Sequence, residues 1–224
     1  MTKVYLSGSE SINNEIKEFL SGKAEFTQNP EEAGIIFNTT NYPEYEKSEE
    51  LQYIESVTPD TIPIFTSSLC VSVSEQCRLQ AHPARLIGIG LYDTFSKAKR
   101  IEIAPSKITD AAILKNAENF LSEAGVNYSV VPDRVGLIFP RIVSMIINEA
   151  AQVYSEQIAS KVDIDTAMKL GTNYPFGPLE WADRLGVELV YNILAALQRD
   201  FGEDRYRPHP LLKEMANLKK RFYD

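Results

Sequence analysis

VYLSGSESINNEIKEFL, residues 4–20, is the stretch on which the fold turns. Val4, Tyr5 and Leu6 make a short apolar run, Ser7, Gly8 and Ser9 interrupt it, and Ile12, Ile16, Phe19 and Leu20 then recur at helical spacing before Gly22 stops the pattern. An apolar run, a glycine turn and an amphipathic helix in succession make the opening of a β-α-β unit. The same alternation continues outward. AEFT (24–27), GIIFNTT (34–40), IPIFTSS (62–68), RLIGIGLYD (85–93), KRIEIAP (99–105) and NYSVVPD (127–133) read as further strands. Tyr45 to Val57 reads as a charged surface helix, and Asp110 to Glu123 as a helix capped by Thr109. Residues 1–133 are therefore expected to be an α/β domain around a mainly parallel sheet.

Beyond Asp133 the texture changes. Residues 138–158 are apolar on nearly all sides, with Ile142, Ile146, Ala150 and Val153 on one stripe and Ile138, Met145 and Tyr154 around it, so this helix is expected to be buried on several faces. Asp163 is placed to cap a helix ending at Gly171, Pro178 suits a first-turn position, Val187 to Asp200 is amphipathic up to Gly202, and His209-Pro210 opens a last helix through Leu218. Residues 134–224 are expected to be all helix.

Composition excludes several classes of function. The chain of 224 residues carries 31 Asp plus Glu against 23 Lys plus Arg, a formal charge of −8, which disfavours general binding to nucleic acid or to anionic membranes. No apolar run approaches the roughly 18 residues a membrane helix needs, and the amino terminus turns polar after Leu6. Cys70 and Cys77 belong to no Cys/His cluster that completes a metal site, so no metal is expected; they read as small core groups in a reduced, cytoplasmic setting.

A strand, a glycine turn and a helix make a place where a dinucleotide's pyrophosphate is held, because free backbone N–H groups at a helix start attract anions. Against the frame G-x-G-x-x-G this chain offers Leu6, Gly8 and Ser11, so only the middle glycine is present, and Glu10 brings a negative charge into the loop. Two readings stand: a bare structural turn, or a retained nucleotide site in which Gly8 and Ser9 meet the cofactor.

DRVGLIFPRIVSMIINEA (133–150), DIDTAMKLG (163–171), YPFGPLEWAD (174–183) and RYRPHPLL (205–212) resemble the carboxy-terminal domain of the L-3-hydroxyacyl-CoA dehydrogenase family. The similarity continues upstream through TSSL (66–69), RLIGIGLYD (85–93) and RIEI (100–103). The resemblance implies a Rossmann domain followed by a helical dimerisation domain, NAD as cofactor and a 3-hydroxyacyl-CoA thioester as substrate. By comparison with the family's usual length, roughly 50 residues are missing between the second and third strands, which makes this Rossmann-like domain a shortened one. The family's tail before Phe-Tyr is collapsed here into LKKRFYD (218–224).

Carried over position by position, the family's catalytic His, in a His-Phe-Phe-Asn-Pro strand end, matches Gly90 in the run Gly90, Leu91, Tyr92, Asp93, Thr94. Its carboxylate partner matches Glu102, its substrate-contacting Ser matches Ser67, and its substrate-contacting Asn matches Pro140, which offers neither a side-chain donor nor an N–H. Hydride leaves a secondary alcohol only if a base takes the hydroxyl proton, and the residue type suited to that is missing.

Plainer readings stand beside these. Glu102 alternates with Ile101 and Ile103, as a polar-face carboxylate does; Ser67 and Ser68 suit a strand end and the cap of the next element. His82 and His209, each beside a proline, read as loop histidines rather than replacement bases, and Trp181 as packing. Lys97, Lys99 and Arg100, and Lys219, Lys220 and Arg221, read as wet surface or as contacts for a coenzyme A phosphate. The residues leave three functions open: a degenerate family member that binds an acyl-CoA or pairs with an active subunit, a working NAD-dependent dehydrogenase with an unusual base, and a purely structural dimer module.

Overall fold

The computed structural model describes residues 1–93, 95–97 and 100–223, which form two compact units, Met1–Leu137 and Ile138–Asp224. In the first unit the strands are β1 (Lys3–Ser7), β2 (Glu25–Thr27), β3 (Ile35–Asn38), β4 (Ile64–Ser67), β5 (Leu86–Ile89), β6 (Ile101–Pro105) and β7 (Tyr128–Val130). They lie side by side in the order β2-β1-β3-β4-β5-β6-β7, with β6 antiparallel to β5 and the other neighbours parallel. The helices are α1 (Glu10–Phe19), α2 (Glu44–Val57), α3 (Val73–Gln76) and α4 (Ala111–Glu123). From β1 the chain steps outward to β2 and then returns past β1 to β3, through residues 28–34 and a 3-10 turn at Pro30–Glu32 instead of a crossover helix.

The central strands β3, β4 and β5 are buried along their whole length, as strands covered on both faces must be. One face packs Ile12 and Ile16 of α1 with Ile113, Ala117 and Phe120 of α4; the other packs Leu51 and Ile54 of α2. The expected charged surface helix at 45–57 is thus anchored on one side, and Lys47 within it is only 2% exposed.

The second unit is helical: α5 (Phe139–Ser155), α6 (Lys161–Thr172), α7 (Pro178–Leu185), α8 (Val187–Phe201) and α9 (Pro210–Asn217). Pro178 and Pro210 take first-turn positions, and Gly202 ends α8 in the left-handed region at φ 64°. Three local expectations are corrected. The cap of α4 is Asp110, whose carboxylate accepts from the N–H groups of Ala112 (2.7 Å) and Ile113 (3.1 Å); Thr109 instead donates to Leu86 O and accepts from Ser106 N. The cap of α6 is Ser160, not Asp163, and the helix passes Gly171 to end at Asn173 with φ 55°. Nor is α5 buried on several faces of this chain. Val143, Ser144, Ile147, Ala150 and Ala151 are covered, whereas Ile142 is 53% and Ile138 50% exposed.

The carboxy-terminal tail is clamped to this unit by two carboxylates. Asp183 accepts from Phe222 N and Tyr223 N, both at 2.7 Å. Asp165 accepts from Leu179 N, Glu180 N and the Tyr223 hydroxyl, and burial, with that hydrogen bond second, pushes the Tyr223 phenol far up.

Candidate functional site

In an open α/β sheet a ligand is held outside the carboxyl ends of the strands, where the strand order reverses. Here that point lies at β1 and β3, because the chain leaves β1 toward one side and comes back on the other. Gly8 follows β1 with φ +92°, and a Cβ added to it would lie 2.5 Å from both the N and the Oγ1 of Thr40. The close approach that the glycine permits is therefore used by the chain itself. Thr39 closes it further, its N and Oγ1 donating to Ser7 O at 3.0 and 2.8 Å. Beneath them Lys47 Nζ donates to Asn38 Oδ1 and Thr40 O, both at 2.8 Å, while Glu50 accepts from Asn38 Nδ2 and Thr40 Oγ1. Burial is what lowers the Lys47 amine to about 7; the Glu50 charge only partly offsets it.

The amino end of α1, which would face a pyrophosphate, carries negative groups instead. Ser9 makes no side-chain cap, Glu10 lies in the first turn, and Ser11 donates its hydroxyl to Asp93 Oδ1 at 2.7 Å. Glu15, a turn further on, accepts from Ser96 N and Ser96 Oγ. A helix start already complemented by Glu10 and Asp93 has little left to offer a diphosphate. With Leu6 packed against the core in place of the first glycine and Thr40 against Gly8, these residues do not fit the pyrophosphate of NAD.

At the end of β5 the structure brings Gly90 and Glu102 side by side. Gly90 N donates to Glu102 O at 3.0 Å, and a Cβ on Gly90 would stand 3.9 Å from that of Glu102. The same added Cβ would be only 2.8 Å from Leu137 Cδ1, so a leucine methyl fills the space into which a side chain at 90 would grow. Tyr92, half-buried, is pushed up to about 12 by burial first, then by the charges of Glu102 and Glu15. His82 precedes β5, so it belongs to the opposite end of that strand from Gly90; its Nδ1 lies 4.0 Å from Asp60. His209 caps α9 by accepting Leu211 N on its Nδ1, and Pro140 is buried in the first turn of α5.

Ser67 ends β4, is 2% exposed and donates its hydroxyl to Asn41 Oδ1. Ser68 is buried behind it, where a Cβ on Gly88 would meet its Oγ at 2.6 Å. Neither caps the next helix: Ser72 caps α3, and Asp133 accepts from Val73 N, Ser74 N and Ser74 Oγ. Asp133, Asn41 and Leu137 shape this end of the sheet, and no spacing in the sequence singles them out, since the partners of Asn41 and Asp133 lie 26 to 60 positions away. Of the two basic stretches, Lys99 lies outside the described residues, as does Thr94 of the strand-end run and Asp224 of the tail. Among the described residues no cluster of three His, Cys, Asp or Glu is placed to hold a metal ion.

Residues 136–221 match the family model of the 3-hydroxyacyl-CoA dehydrogenase carboxy-terminal domain. This match and the likenesses that follow support the 3-hydroxyacyl-CoA dehydrogenase family for this chain. Among relatives in this family, it is 40% identical over 120 residues to 3-hydroxyadipyl-CoA dehydrogenase of Escherichia coli strain K12, covering 54% of this chain and 25% of that protein. It is 33% identical over 161 residues to 3-hydroxybutyryl-CoA dehydrogenase of Clostridioides difficile, covering 70% of this chain and 56% of that one. The chain thus spans a quarter to just over half of these two relatives' length. The fold agrees with that of (S)-3-hydroxybutyryl-CoA dehydrogenase from Ralstonia eutropha, with a TM-score of 0.81 at 20% identity over 98% of this chain and 94% of that one.

Proposed function

We propose that this chain is a 3-hydroxyacyl-CoA dehydrogenase-like protein of acyl-CoA metabolism that binds an acyl-CoA thioester, or pairs with an active subunit, and transfers no hydride. The observation that carries this reading is Gly90 itself, which stands beside Glu102 where the family's pattern has its His and brings no imidazole to that strand end. Glu102 and Ser67 keep the family's positions but not its chemistry. A carboxylate that should poise a base has none at Gly90 to poise, and the Ser67 hydroxyl is committed to Asn41. The closed glycine turn is the second support, since oxidation needs cofactor and base together.

On this reading residues 1–133 are a truncated NAD-binding-type domain and 134–224 the dimerisation domain. Two copies pair through the helical unit in the cytoplasm. Ile142 of α5, 53% exposed, supports such pairing as a large apolar side chain that this chain's own core does not cover. Cys70 and Cys77, neither in a disulfide among the described residues, suit a reducing compartment. A working NAD-dependent 3-hydroxybutyryl-CoA dehydrogenase is the competing reading, favoured by the names of the relatives and by Glu102 beside Gly90.

Calorimetry of the purified protein with acetyl-CoA and NADH separately tells the readings apart. Saturable heat with acetyl-CoA alone is expected. Saturable heat with NADH, together with acetoacetyl-CoA-dependent NADH oxidation at an ordinary enzyme rate, would overturn the proposal; silence toward both leaves the partner-subunit form of it, which copurification with an active dehydrogenase decides.

A further inference from the structure

We draw no further inference here: the strongest candidate, the apolar ridge that Ile158, Val162, Leu170 and Tyr174 expose along α6, carries nothing because the structure does not show what covers it.

Discussion

At the scale of single residues, Gly90 and Lys47 show how much one side chain decides. Replacing Gly90 by His puts a Cβ 2.8 Å from Leu137 Cδ1, the far end of a side chain that must turn aside to admit it. Gly90→His is expected to fold with a loss of about 1 kcal/mol, the lower end of overpacking, read by urea denaturation. Neither it nor Gly90→His combined with Pro140→Asn should oxidise NADH with acetoacetyl-CoA above background, because the glycine turn stays closed; turnover in the double variant would show that only the base was missing. Lys47 gives a pH signature. Its folded-state value, about 7, lies below the 10.5 of an ordinary lysine, so between those values the unfolded chain holds more protons than the folded one. This residue's contribution therefore makes stability rise with pH across that window and level off below about 7, where both states are protonated. In Lys47→Met that rise disappears, so wild type gains on the variant from neutral to alkaline pH. Parallel curves for the two proteins would show that the lysine does not titrate there.

At the scale of elements, helix starts are where sequence and structure part, and the differences have one cause. Thr109 and Asp110 both suit an N-cap, as do Ser160 and Asp163, and pattern alone does not say which backbone N–H groups each side chain will meet. Thr109 is drawn away by Leu86 O and Ser106 N, groups set by β5 and the β6–α4 turn, which leaves the cap of α4 to Asp110. Asp110→Ala should cost about 1 kcal/mol, measured by chemical denaturation. A change within error would mean that α4 is held by Ile113, Ala117 and Phe120 alone. The apolar period of α5 is plain in the sequence, but not which arc of it this chain covers. Five small or branched side chains from Val143 to Ala151 are buried, and Ile142 is left outside them.

At the scale of the whole molecule, the helical unit depends on one crowded crossing. A Cβ on Gly177 would lie 2.2 Å from Asp165 Cβ, and Asp165 holds Leu179, Glu180 and Tyr223 at once. Gly177→Ala should cost about 3 kcal/mol, at the upper end of overpacking, and should loosen the tail; hydrogen exchange at Phe222 and Tyr223 as slow as in wild type would refute this. If Ile142 of α5 seats a second copy, Ile142→Glu should shift sedimentation to the monomer and lower Tm by what pairing adds, making Tm independent of protein concentration; a monomeric wild type would remove the pairing proposal. The sequence by itself determined the α/β class, the helical second half, the family through the run from Asp133 onward, and the absence of a His at 90, because periodicity and residue identity are local properties. Only the tertiary structure decided that Thr40 occupies the face of Gly8, that Leu137 fills the place beside Gly90 and that Lys47 is buried. Each of those is settled by residues that the chain brings together from a distance, and such meetings exist only once the strands have taken their order in the sheet.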